Sequence, residues 1–333
     1  MDQHVALSMR SGAASDRAIL GRSAAFASIV TALFLVGLKL WAVWQTESMA
    51  LLGSLADSAL DLIASLATLT GVIIAARPAD RTHRFGHGKA EALAAIFQVM
   101  LIALSAAGIA MQSAEALAEG QRVAAAQEGI VVSMIAILAT FALLAYQRFV
   151  IARTGSLAIS TDHLHYQSDL LLNLAVIAAL VLDRYVGLAG ADPLFGLGIA
   201  GWLLWGAWRA GSEAIDHLMD REWPEEKRRR FVAVAARHPE LSRLHDLRTR
   251  TSGGIDFVQF HVDLPGDYTV EQAHDIIERV EKDLHAEFPD AEVLIHIDPE
   301  GHVDEPRNTL VEEDQFSRFG ERRMTGPHDE TPT

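Results

Sequence analysis

Residues 49–76, MALLGSLADSALDLIASLATLTGVIIAA, contain no basic side chain, and their only charged residues are Asp57 and Asp61. About 20 consecutive apolar residues suffice to cross a bilayer as a helix, so this stretch reads as a membrane span with carboxylates inside it. The i, i+4 spacing puts both on one helix face, one turn apart. Residues 160–182, STDHLHYQSDLLLNLAVIAALVL, repeat the pattern with His165 and Asp169. A charge at the bilayer centre costs about 2.5–3.5 kcal/mol on insertion scales, so four ionisable groups at that depth point to a function. Three carboxylates and one imidazole make a four-ligand set suited to a divalent metal such as Zn²⁺. Helix-to-helix polar contact is a weaker explanation, since such contacts average about 0.6 kcal/mol in membranes. Three crowded carboxylates also repel unless protonated or metal-bound. Tyr166 and Gln167 read as helix-surface neighbours rather than ligands.

Working outward, six stretches are long and apolar enough to read as spans: about 24–45, 49–76, 91–117, 128–150, 164–187 and 193–217. The basic residues give the orientation. Arg10, Arg17 and Arg22 precede the first span. Arg77, Arg81, Arg84 and Lys89 separate the second and third, and Arg148 and Arg153 the fourth and fifth. Arg209 and Arg221 lie near the end of the sixth. The opposite loops carry only Arg122 and Arg184. Both termini are then expected in the cytoplasm. Residues 1–22 are too polar for a secretory signal and read as a retained cytoplasmic arm. Glycines 196, 198, 201 and 206 suit a close helix contact, internal or between two copies.

The chain has 333 residues, 50% hydrophobic and 21% charged, with no cysteine and a formal net charge of -15. Without cysteine there is no disulfide framework and no thiolate ligand, so metal chemistry must use His, Asp and Glu. The acidity is concentrated near the C-terminus, for example in IERVEKDLHAEFPDAE, and disfavours nucleic acid as a partner. The composition shifts near Met219, which suggests two domains: a membrane part over 23–219 and a polar part over 220–300.

In the polar part, Pro224 opens a helix, and residues 244–264 read as two strands around Ser252-Gly253-Gly254. Residues 269–288 have helical periodicity, and AEVLIHID (291–298) is a third strand. This αββαβ order implies a small two-layer α+β domain. His296 and Asp298 are i, i+2 on one strand and share a face. His261 falls on a neighbouring strand and His274 on the covering helix. Residues 301–333 are expected to be disordered. The remaining histidines (4, 163, 217, 238, 285, 302 and 328) carry no ligand pattern.

The strings LADSALDLIASL (55–66), RPADRTHRFGHGKAEALAA (77–95), TDHLHYQSD (161–169), HDLRTRTSG (245–253) and IHIDP (295–299) occur in order. Together they resemble the cation diffusion facilitator family, especially its bacterial iron/zinc-efflux branch, over about residues 15–300. The resemblance implies six transmembrane helices and a cytoplasmic ferredoxin-like domain. It also implies a homodimer in the bacterial inner membrane and proton-coupled export of Zn²⁺, Cd²⁺ or related divalent metals. Carried over position by position, the family's transport site falls on Asp57, Asp61, His165 and Asp169. Its loop site falls on Asp80, His83 and His87, and its cytoplasmic metal cluster on His245, His261, His274, His296 and Asp298. Lys89 and Asp220 match a charge pair tying the two domains together. Each position holds a suitable residue.

The rival readings are a passive metal channel and a membrane-anchored metal sensor. An enzyme is disfavoured: no HExxH is present, and GHGK (86–89) lacks the upstream glycine and the Ser/Thr of a phosphate loop.

Overall fold

The structure, a computed structural model, describes residues 3–46, 49–119, 127–186, 191–301 and 314–320. It divides into two compact units, the first running from Ser11 to Met219 and the second beginning at Asp220.

The first unit is built from α1 (Gln3–Thr46), from Ser11 onward, and five further long helices: α2 (Met49–Ala75), α3 (Ala90–Glu119), α4 (Gln127–Thr154), α5 (Leu157–Val186) and α6 (Ala191–Leu218). Two boundaries differ from the apolar runs. Helix α1 extends back through the polar arm to Gln3, and α5 begins at Leu157, ahead of the polar DHLHYQSD. Helicity here follows backbone hydrogen bonding and tertiary capping, which hydropathy does not report. Among the described residues, stretches of α1 to α4 (16–45, 58–75, 90–119 and 134–154) are long and apolar enough to cross a membrane.

Small residues let these helices approach. A Cβ at Gly71 would lie 2.5 Å from Ala94 Cβ on α3, and a Cβ at Gly196 would collide with Ser113. Such pairs substitute for the hydrophobic driving force that lipid removes. Exposed Phe26, Trp44, Leu104, Phe141 and Trp208 cover the outside, as expected of a lipid-facing surface.

Helix ends are tied by charges from the start of α3. Glu91 Oε2 accepts from Ser156 Oγ (2.7 Å) and from the Leu157 backbone N–H (3.0 Å). It thereby caps the N-terminus of α5, where an anion is favoured. Lys89 Nζ donates to the Leu218 carbonyl (3.1 Å), where the last turn of α6 favours a cation.

The second unit contains α7 (Glu225–Ala235), β1 (Leu244–Ser252), β2 (Ile255–Leu264), α8 (Val270–Glu287) and β3 (Ala291–Pro299). The sheet order is β1-β2-β3, antiparallel between β1 and β2 and parallel between β2 and β3. Thr269 and Gln272 form a capping box on α8. The core gathers Trp223, Phe231, Phe260, Val280, Leu284 and Phe288. The Phe231 ring meets Phe260 and Phe288 with centroids 5.6 and 5.4 Å apart.

The expectation of disorder from residue 301 onward fails at 314–320. A short helix, α9 (Gln315–Arg318), is capped by Asp314, and Phe316 joins the core. One buried aromatic fixes a segment whose composition is otherwise polar. The rest of that tail lies outside the described residues.

Phe231→Ala should destabilise this unit by about 3–5 kcal/mol through cavity formation. Amide hydrogen exchange across residues 225–299 of the full chain measures it; protection equal to the wild type would contradict the packing described.

Candidate metal sites

The first site lies between α2 and α5. His165 Nε2 is 2.9 Å from Asp61 Oδ1, and both residues are buried. Asp61, His165 and Asp169 each offer a ligand atom, all within 4.8 Å of one another. Asp57 lies on α2 one turn before Asp61; its side chain is outside the described residues. The two helices bring together what i, i+4 spacing could only put on separate faces. Tyr166 is not the surface neighbour that the sequence suggested. It is fully buried, with its hydroxyl 2.9 Å from Ser65 Oγ and donating to the Ser28 carbonyl at 3.1 Å. Gln167 donates to His163 Nε2 (3.1 Å).

The second site is the 77–89 connection. Asp80 Oδ1 accepts from the Thr82 hydroxyl (2.8 Å) and from the backbone N–H groups of His83 (2.7 Å) and Thr82 (2.8 Å). This is an Asx-type turn. These donors, the Thr82 hydroxyl first, hold the Asp80 carboxyl well below the usual carboxylate range. A lowered value means that the stabilisation is present at neutral pH and is lost only as pH falls through the folded-state value. His83 Nδ1 and His87 Nε2 each lie 3.4 Å from the Asp80 carboxylate, and their rings are 4.4 Å apart. The three residues form a compact, solvent-accessible ligand set.

The third site follows from strand register. His245 pairs with His261 across β1 and β2, and His261 with His296 across β2 and β3. Three imidazoles therefore stand in a row, with ring centroids 5.3 and 4.5 Å apart. Asp298 crosses beneath the row: it is 2.8 Å from His261 Nδ1, 3.3 Å from His296 Nε2 and 3.7 Å from His245 Nε2. His245, His261 and Asp298 have ligand atoms within 4.8 Å of one another. A cleft of ≈ 190 Å³ opens beside them, with Asp246, Gln259, His261 and His296 among its walls.

His274 is not brought to this cluster within the chain. It is exposed on α8, whereas Ala273, Ile276, Ile277 and Val280 turn towards the sheet. Spacing within the helix fixed its face but not its distance from the sheet edge.

Two acidic neighbours escaped the sequence reading. Asp263 Oδ1 is 3.0 Å from His245 Nε2. It is i+2 from His261, so the same strand periodicity that linked His296 with Asp298 would have found it. Asp246 Oδ2 is 3.9 Å from His261 Nε2. It sits at positive φ (48°) in the irregularity between His245 and Arg248, which no spacing rule anticipates. Asp220 also has positive φ, and its carboxylate lies 3.5 Å from Arg250.

Residues 25–219 match the family model for the cation efflux transmembrane domain. The chain belongs to the cation efflux family. Residues 223–300 match the model for the cytoplasmic domain of cation efflux proteins. The chain is 42% identical over 281 residues to the cation-efflux pump FieF of Cronobacter sakazakii, covering 84% of this chain and 93% of that one. It is 40% identical over 289 residues to the FieF of Yersinia enterocolitica, covering 87% and 96%. A solved metal-bound C-terminal domain of the CzcD transporter from Thermotoga maritima is 27% identical, with a TM-score of 0.23, over 25% of this chain and 99% of that one. Membership of the cation efflux family makes this chain an integral membrane cation transporter.

Asp263→Ala should weaken metal binding by the second unit by about 10–100-fold, the usual effect of losing a group that orients a ligating histidine. Calorimetric Zn²⁺ titration of the full chain, with His83 and His87 replaced by Ala, reads it. Unchanged affinity would make Asp263 irrelevant to the site.

Proposed function

We propose that this protein exports Zn²⁺, together with Cd²⁺ or related divalent transition metals, from the cytoplasm in exchange for protons by alternating access. The observation that carries the reading is the convergence of Asp61, His165 and Asp169 between two helices of the membrane unit. Asp57, one turn away on α2, completes the proposed set. Buried ionisable groups in a membrane unit are costly unless they are paired or used. Nitrogen and oxygen donors of this kind suit Zn²⁺.

The chemistry of exchange follows from the ligands themselves. Metal binds only their deprotonated forms, so a proton arriving at Asp57, Asp61, His165 or Asp169 competes directly with the ion. Imidazole is the group whose ordinary titration range lies closest to physiological pH. When the site faces the cytoplasm, Zn²⁺ displaces protons. When it faces outwards, protons displace Zn²⁺. Six membrane-crossing helices, cytoplasmic termini, an inner-membrane location and a ferredoxin-like homodimer belong to this proposal.

Asp80, His83 and His87 are proposed as a loop metal site, and His245, His261, His296 and Asp298, with His274, as the cytoplasmic-unit set. Their nitrogen and oxygen atoms fit a Zn²⁺ ion, which when bound would neutralise clustered acidic charge. Lys89 and Asp220 are proposed as the charge pair between the units.

Purified protein in vesicles should show Zn²⁺ flux that increases with an imposed pH gradient and disappears in Asp61→Ala. Flux that follows only the Zn²⁺ gradient would mean a channel, and metal binding without flux would mean a sensor. Either contradicts the proposal. His165→Asp should narrow the preference for Zn²⁺ over Mn²⁺, because an all-oxygen set favours harder ions; an unchanged preference in competition flux would contradict the ligand role of His165.

A further inference from the structure

Asp162 lies on α5 one turn before His165 and seven residues before Asp169, so the three follow one helix stripe. It is fully buried. Its carboxylate accepts from Ser28 Oγ on α1 (2.6 Å), Gln98 Nε2 on α3 (2.8 Å) and Gln147 Nε2 on α4 (2.7 Å).

The donors are themselves held in place. Gln147 Nε2 also reaches Ser28 Oγ (3.0 Å), and its other amide atom, Oε1, is 3.2 Å from His163 Nδ1. Gln98 Nε2 also reaches Thr68 Oγ1 on α2 (2.6 Å). Ser28, Thr68, Gln98 and Gln147 are all buried. The next turn of α5 is pinned as well, through the Tyr166 hydroxyl between Ser65 and the Ser28 carbonyl.

A buried acidic group is a costly way merely to join helices, since amides bond across helices without the burial of an ionisable group. What the carboxyl group adds is a pair of oxygens on which Ser28, Gln98 and Gln147 converge from three helices. That convergence fixes the rotation of α5 about its axis directly below the metal ligands. A rotation of α5 would carry His165 away from Asp61, which it now meets at 2.9 Å.

We infer that Asp162 is a positioning residue of the transport site: its carboxylate, held by Ser28, Gln98 and Gln147, sets the rotation of α5 that brings His165 and Asp169 to Asp61. The inference rests on the exporter reading above.

The test is Zn²⁺ flux against concentration in vesicles holding the full chain, with Zn²⁺ and Mn²⁺ in competition, for the wild type, Asp162→Asn and Asp61→Ala. The asparagine keeps the shape but turns an N–H₂ towards donors. KM should rise about 10-fold or more, the usual scale for lost support of a metal ligand. Maximal flux per folded protein should fall much less, and the preference for Zn²⁺ over Mn²⁺ should narrow. A wild-type KM and preference, with only the yield or maximal flux reduced, would show a purely structural role and overturn the inference. If Asp162→Asn does not fold, Ser28→Ala and Gln147→Met each delete one donor and leave the carboxylate. A raised KM in either supports the inference; a wild-type KM and preference in both overturn it. Flux surviving in Asp61→Ala would instead sink the exporter reading, whatever Asp162 does.

Discussion

The contact between Asp61 on α2 and His165 on α5, 2.9 Å long and buried, constrains how these two helices of the membrane unit can pack. An ionisable pair inside an apolar bundle is tolerated only if the two partners stay together or a bound ion joins them. Two helices that carry such a pair cannot choose their separation freely. The same requirement that makes the pair costly makes it responsive. Proton or metal occupancy changes the local charge by a whole unit or more, in surroundings that screen it poorly.

Keeping this geometry needs a frame, and the frame has two parts. Close packing is provided by small residues, as where Gly71 meets Ala94 and Gly196 meets Ser113. Orientation is provided by polar groups. Glu91 caps α5 at its start, and Asp162, Tyr166 and their partners tie it to α1, α2, α3 and α4 beside the ligands. Helix α5 is thus located axially by one carboxylate and rotationally by another. The second unit solves the matching problem with a sheet, where register alone lines up His245, His261 and His296.

The sequence revealed what depends on local periodicity. Apolar runs disclosed the long helices, and i, i+4 and i, i+2 spacings disclosed which ligands share a face. It disclosed less where distant segments decide. The polar DHLHYQSD lies in mid-helix because Glu91, 66 residues before Leu157, caps the helix upstream of it. Asp162 has no local pattern to mark it, since its donors come from three other helices. His274 was placed by helix periodicity and strand order together, and α8 turns it to solvent instead. Phe316 anchors α9 from within a tail whose average composition reads as disordered.

In the proposed transport cycle one divalent ion binds between α2 and α5 through three carboxylates and a single imidazole. X-ray absorption on the full chain with the other sites removed (His83→Ala, His87→Ala, His261→Ala and His296→Ala), loaded with one equivalent of Zn²⁺, tests it directly. Four nitrogen and oxygen ligands are expected at about 2.0–2.2 Å, with the multiple-scattering signature of one imidazole. That signature should disappear in His165→Ala. Six-coordinate Zn²⁺, two or more imidazoles, or a spectrum unaffected by His165→Ala would contradict it.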